Sequence, residues 1–179
     1  MGSKYVWYAC YGSNLNTHRF LCYIKGGICS YNGYYYEGCT DPTLPLADGP
    51  IKIPHRLYFA KHAPKWDNQG VAFLDSRRDD LKHTMGRMYL ITELQFEEVH
   101  TQEGPSWYNK VLDLGKYEGY PIKTFTSTHL LKPNLPNHMY VKAISDGLKE
   151  TYPLLNRTDI ERYIASATEE CWQLLDQHM

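Results

Sequence analysis

No apolar run in this chain approaches the roughly 20 residues of a membrane-spanning helix, so no such span is expected in it. An excess of one charge is also missing. The formal net charge is -1, which gives no basis for nucleic acid or a membrane surface as a partner. The cysteines are few and odd in number: Cys10, Cys22, Cys29, Cys39 and Cys171, with no C-x-x-C pair among them. Neither a disulfide framework nor a zinc site follows from that pattern. They read as free thiols, and Cys10, alternating within an apolar run, reads as packing rather than as a nucleophile. Met1 to Lys4 lack a basic region leading into an apolar stretch, so no signal peptide is expected, and a cytoplasmic location is the expectation. The P-loop, G-x-G-x-x-G and H-E-x-x-H patterns are absent, as is the G-x-S-x-G nucleophile elbow. Eight histidines (His18, His55, His62, His83, His100, His129, His138 and His178) are scattered without ligand spacing, so no metal site is expected.

What is present is a folded composition. The 179 residues are 42% hydrophobic and 22% charged, enough for one domain over residues 1–179 with a sizeable core. No internal repeat and no low-complexity segment divides the chain. An aromatic, apolar run from Tyr5 to Tyr11 has strand composition. It meets Gly12, Ser13 and Asn14, residues suited to a turn, and a short helix is expected from Leu15 to about Tyr23. Gly12 permits a sharp turn and close approach of a ligand. Ser13 and Asn14 are expected to cap the helix. Backbone N–H groups at such a junction can form an anion-binding nest, and an ordinary strand-ending turn is the competing reading.

From Gly26 to Pro50, glycine and proline recur without periodicity, and the segment carries Tyr31 and Tyr34-Tyr35-Tyr36. It reads as a long loop, with a binding loop and an aromatic-pinned surface loop both open. Five further strand-like runs follow: Arg56 to Lys61, Val71 to Leu74, Gly86 to Ile91, Tyr108 to Leu114 and Pro121 to Thr128. Their links lack helical crossovers, so an antiparallel or mixed, closed sheet is favoured over a doubly wound one. One helix interrupts them. Thr92 and Gln95 form a capping box, and Gly104-Pro105 stops the helix just after Glu103. That mounting suits a positioned carboxylate, although exposed glutamates in such turns are common. The C-terminal part is helical. Asn137 is expected to cap a helix through Tyr140, Ile144 and Leu148. Thr158 and Glu161 suggest a second capping box, before an apolar stripe of Ile160, Tyr163, Ile164, Ala167, Cys171, Leu174 and Leu175 that is expected to pack on the sheet.

Taken together these residues resemble the gamma-glutamylcyclotransferase-like proteins. Tyr11-Gly12-Ser13-Asn14-Leu15 after an apolar strand is similar to that family's signature. Trp66 with Gly70-Val71-Ala72, then Gly86 and Tyr89, then Gln102-Glu103-Gly104 and Tyr108, follow in the family's order. Tyr140, Ile144, Gly147 and Pro153 resemble its C-terminal helix and the proline beyond it. The likeness covers most of the chain and departs in the Gly26 to Pro50 loop, where substrate choice is expected to be set.

The resemblance implies an α+β fold: a small closed mixed β-barrel with flanking helices. It implies an enzyme with a small-molecule γ-glutamyl substrate and no metal or organic cofactor. In the implied reaction the α-amine of a γ-glutamyl amino acid or amine attacks its own γ-carbonyl and releases 5-oxoproline. Glu103 would be the general acid and base. Backbone N–H groups of Gly12, Ser13, Asn14 and Leu15 would hold the α-carboxylate or the oxyanion, and Tyr11 and Tyr140 would add hydrogen bonds. Two alternatives stand beside this expectation: a non-catalytic module of the same fold that binds a small ligand or a protein, and the same chemistry on a larger γ-glutamyl acceptor.

Overall fold

The computed structural model describes residues 4–177. Among these residues are nine strands and four α-helices. β1 (Tyr5–Cys10) leads through the Gly12 turn into α1 (Thr17–Lys25), followed by the two-residue strands β2 (Gly27–Ile28) and β3 (Tyr35–Tyr36) and then by β4 (Asp48–Ile53). β5 (Leu57–Ala63) and β6 (Gln69–Leu74) make a hairpin. β7 (Thr84–Thr92) runs directly into α2 (Glu93–Glu103), and β8 (Lys110–Tyr117) and β9 (Tyr120–Thr126) make a second hairpin. α3 (His138–Thr151) and α4 (Arg157–Gln177) complete the described chain.

The fold is α+β, with a five-stranded mixed sheet in the order β4-β7-β1-β9-β8. β1 lies at its centre, antiparallel to β7 and parallel to β9. Its residues from Val6 to Cys10 are buried on both faces, as a central strand requires. The sheet is open, which differs from the closed barrel expected from the sequence. The β5–β6 hairpin does not join it by a backbone ladder and meets it instead through side-chain hydroxyls. Thr126 Oγ1 accepts from the Leu74 N–H at 2.9 Å and donates to the Leu74 carbonyl at 2.7 Å. Tyr108 Oη donates to the Ala72 carbonyl at 3.1 Å. Hydroxyls therefore take up hairpin groups that a continuing ladder would have used.

β4 falls partly inside the segment read as loop, because Asp48-Gly49-Pro50 looks like a breaker. It is an edge strand, where a proline costs no ladder bond on the open side. The capping box of Thr92 and Gln95 is formed as expected, and Asn137 caps α3. At α4 the reciprocal bonds run between Asn156 and Asp159, two residues earlier than the Thr158–Glu161 pair. Ile160, Ala167 and Cys171 are buried, and the helix packs on β5, where Cys171 Sγ accepts the Phe59 N–H at 3.1 Å. The side chains of Leu174 and Leu175, and all of His178, lie outside the described residues. No helix among the described residues is long and apolar enough to cross a membrane.

The stacked rings of Phe20 and Tyr89, 4.1 Å apart, and of Tyr8 and Phe125, 5.4 Å apart, fill the core between α1 and the sheet. α3 presses against the turn that follows β1. A Cβ at Gly147 would collide with the backbone of Leu15 and Asn16. Glycine is needed there for close approach and not for its backbone freedom. Gly147→Ala is therefore expected to lower the unfolding free energy by about 1–3 kcal/mol through overpacking, despite alanine's better helix propensity. Urea denaturation checks this, and a neutral or stabilising effect would contradict the close contact.

Candidate active site

The turn after β1 is a single 3-10 turn over Ser13–Leu15. The Leu15 N–H donates to the Gly12 carbonyl at 3.1 Å and the Asn16 N–H to Ser13 at 3.2 Å. Asn16 caps α1, its Oδ1 accepting the Arg19 N–H at 2.9 Å, in place of the expected Ser13 or Asn14. Asn14 is thereby released for another task. Its Nδ2 donates to Glu103 Oε1 at 2.8 Å and to the Tyr8 hydroxyl at 3.2 Å. Its carbonyl accepts from the Tyr89 hydroxyl at 2.9 Å. Its Oδ1 is buried with no hydrogen-bond partner among the described residues. The back of the turn is held by Arg87, which donates to the Leu15 carbonyl at 2.9 Å, and by Glu150, which accepts the Thr17 N–H at 3.0 Å.

Glu103 is the last residue of α2. Gly104 closes the helix with φ 105°, a conformation that favours glycine, and returns its N–H to His100. Trp107 and Tyr108 then donate their N–H groups back to the Gly104 carbonyl, so the carboxylate stands on a rigid corner. It faces a cavity of about 440 Å³. Burial raises its pKa above the ordinary carboxylate value; the Arg19 guanidinium, the hydrogen bonds from Asn14 and Tyr23, and the Lys65 ammonium partly offset that rise.

The cavity brings together most of the residues singled out in the sequence. Tyr11, Gly12, Ser13, Asn14, Glu103 and Tyr140 all line it. Leu15 does not. It is fully buried beneath Gly147, and its N–H is spent on Gly12. The Tyr11 hydroxyl is committed to the Phe125 carbonyl at 2.7 Å, so Tyr11 offers the cavity its ring more than its hydroxyl. The Tyr140 hydroxyl accepts the Ala72 N–H at 2.9 Å and lies beside the Ser13 N–H, which leaves its own proton to give. Burial keeps that phenol protonated, its pKa raised far from neutrality. A Cβ on Gly12 would come within 2.6 Å of the same hydroxyl, which explains a glycine there.

Another lining residue, Arg19, escaped the sequence reading. Arg19 is only 2% exposed, and its guanidinium lies over the rings of Tyr23, Tyr36 and Trp66. Tyr34 and Tyr36 come from the long loop, and Tyr34 donates to the Pro64 carbonyl at 3.2 Å, joining the loop to the hairpin across the cavity rim. A lone arginine in i, i+4 register with both Leu15 and Tyr23 was the available signal. Among the described residues, no three histidine, cysteine, aspartate or glutamate side chains gather as a metal site.

The raised carboxyl has a consequence for stability. The folded chain keeps a proton on Glu103 over a pH window in which the unfolded chain has already lost it, so folding stability falls as pH rises through that window. Glu103→Gln removes this loss. The variant is expected to match or exceed wild-type stability at pH 7, with the difference closing as pH falls below the ordinary carboxylate range. Urea denaturation at a series of pH values measures it, and a wild-type advantage that grew towards pH 7 would contradict the burial.

No family model matches the chain. A curated relative, histone deacetylase 5 of Arabidopsis thaliana, is 32% identical over 154 residues, covering 69% of this chain. The chain spans 23% of that relative's length. Among solved structures, an uncharacterized protein from Homo sapiens superposes with a TM-score of 0.64 at 18% identity, over 97% of this chain and 99% of that one. A structure described as gamma-glutamyl cyclotransferase gives 0.63 at 18% identity, over 97% and 99%. YkqA from Bacillus subtilis gives 0.56 at 18% identity, over 92% of this chain and 55% of that one. With superposition over 97% of this chain and 99% of each of the first two structures, the chain has the gamma-glutamyl cyclotransferase-like fold.

Proposed function

We propose that the chain is a cyclotransferase that releases 5-oxoproline from a γ-glutamyl amino acid or γ-glutamyl amine, with Glu103 as general acid and base. The observation that carries this reading is a buried carboxylate hydrogen-bonded at 2.8 Å to the turn that follows the first strand, facing a cavity of small-molecule size. The solved cyclotransferase of the same fold supports the reaction class.

The chemistry follows from the parts. An α-ammonium is not a nucleophile, so Glu103 takes one of its protons, and burial makes the carboxylate a better base. The freed amine attacks the γ-carbonyl and closes a five-membered ring. Holding the substrate folded removes much of the entropic barrier. The C–N bond to the departing amine then breaks as Glu103 returns the proton to that nitrogen. The attacking nitrogen gives up two protons in all and the departing nitrogen gains two, so the exchange balances without an external acid. The Tyr140 hydroxyl and the N–H groups of the Gly12–Asn14 turn serve the α-carboxylate or the oxyanion, and Asn14 Oδ1 accepts from the amine.

Release of 5-oxoproline from a panel of γ-glutamyl compounds tests this reading. The wild-type chain is expected to turn over at least one member, and Glu103→Gln to slow it about 100- to 10,000-fold with the folded circular dichroism spectrum retained. Near-equal rates for the two proteins would remove Glu103 from the chemistry.

A further inference from the structure

Arg19 is not used by the mechanism above, and its setting is unusual. It is 2% exposed, yet makes no ion pair among the described residues. Its Nη2 donates to the Tyr23 hydroxyl at 2.9 Å, while Nε and Nη1 are buried with no hydrogen-bond partner. The rings of Tyr23 and Tyr36 lie 4.6 and 4.5 Å from the guanidinium carbon, and Trp66 lies 5.6 Å away. Ring faces compensate a buried cation only in part. A guanidinium with two unsatisfied donors is costly to hold out of water, so a permanent cation in this state is suited to a ligand that supplies the anion.

A second cation stands nearby. Lys65 Nζ lies 4.4 Å from the Tyr36 ring, and Lys65 also lines the cavity. With Glu103 as the one lining carboxylate, Arg19 and Lys65 leave the cavity with one positive charge in excess. The site has two parts of different chemistry, which adjoin at Tyr23: its hydroxyl accepts from Arg19 at 2.9 Å and hydrogen-bonds the Glu103 carboxyl. The turn, Tyr140 and Glu103 offer single hydrogen bonds at positions suited to the reacting glutamyl group. Arg19, buried, and Lys65 both lie over the ring of Tyr36, on the side of the cavity where the tyrosine loop meets the hairpin. A γ-glutamyl amino acid with its reacting amide at Glu103 can set the carboxylate of its departing half, two bonds from the departing nitrogen, on the Tyr23 and Arg19 side of the cavity.

We infer that Arg19, in its cage of Tyr23, Tyr36 and Trp66 and aided by Lys65, is an anion subsite for the carboxylate of the departing amino acid. The inference rests on the cyclotransferase reading for which half of the substrate lies where, and it narrows the substrate to γ-glutamyl amino acids over γ-glutamyl amines. Arginine suits the task because its planar donors can hold a carboxylate at two points. The subsite also has a consequence for Glu103. Arg19 holds the Glu103 carboxyl down, so a carboxylate bound to Arg19 weakens that pull and makes Glu103 more basic when a substrate is in place.

The test compares two probes that differ only in the departing carboxylate: γ-glutamylalanine and γ-glutamylethylamine. Their binding is measured by calorimetry on Glu103→Gln protein, which is expected to hold them uncut, and on the same protein carrying Arg19→Met. Turnover by the wild-type chain is followed separately. The single variant is expected to bind γ-glutamylalanine about 10- to 100-fold more tightly than the ethylamide, with that preference collapsing to within about threefold when Arg19 is replaced. Equal binding of the probes, binding of neither, or equal weakening of both by Arg19→Met would overturn the subsite. Should Arg19→Met fail to fold, Arg19→Lys is expected to keep part of the preference, and an undiminished preference would overturn the role. A carboxylate preference without 5-oxoproline release would uphold the subsite and sink the reaction. Release from both probes without a preference would do the reverse.

Discussion

A hydrogen bond of 2.8 Å between Asn14 and Glu103 ties the end of the first strand to the end of the second helix, 89 residues later in the chain. Much of the architecture serves to make it. β1 is buried at the centre of the sheet, so its exit point is fixed. Tyr8 and Tyr89 hold Asn14 from the core side, and Arg87, Glu150 and Gly147 clamp the turn from behind. The capping box at Thr92 fixes where α2 begins, and Gly104 fixes where it ends. A carboxylate whose neighbours are so constrained can be kept partly out of water in one orientation, which is what a positioned acid and base needs.

Charge balance in the cavity follows from the same arrangement. Burial alone would push Glu103 far towards its neutral form, and Arg19 and Lys65 draw it back. Tyr23 links the opposing groups: its hydroxyl accepts from Arg19 and supports the carboxyl of Glu103. The site thus keeps a carboxylate that is more basic than one in water yet still ionisable, beside cations that attract an anionic ligand. The phenols of Tyr8, Tyr11, Tyr23, Tyr108 and Tyr140 are all raised by burial, so they stay protonated and act as neutral hydrogen-bonding groups.

Local signals made part of this legible in the sequence. The strand-to-turn junction at Gly12, the stop at Gly104 after Glu103, and the caps at Thr92 and Asn137 depend on residues close in the chain, and all four stand as expected. Features set by distant neighbours were not legible. Leu15 belongs to the signature run, but its contact with Gly147 turns it into core. Asn16 captures the helix cap and frees Asn14, a choice settled only when Glu103 arrives. The open sheet depends on Thr126 and Tyr108 hydroxyls meeting a hairpin far away in sequence. β4 was hidden by Pro50, which an edge strand tolerates. Arg19 was not singled out, because its cage is assembled from α1, the tyrosine loop and the hairpin together.

The central claim is that Glu103 meets the α-amine of a γ-glutamyl compound. A crystal structure of Glu103→Gln protein with γ-glutamylalanine bound tests it most directly. The account predicts density with the α-amine within hydrogen-bonding distance, about 3 Å, of the side chain at position 103, and with the γ-carbonyl carbon within reach of that amine. Density that placed the glutamyl group elsewhere in the cavity, with its amine turned away from position 103, would contradict it.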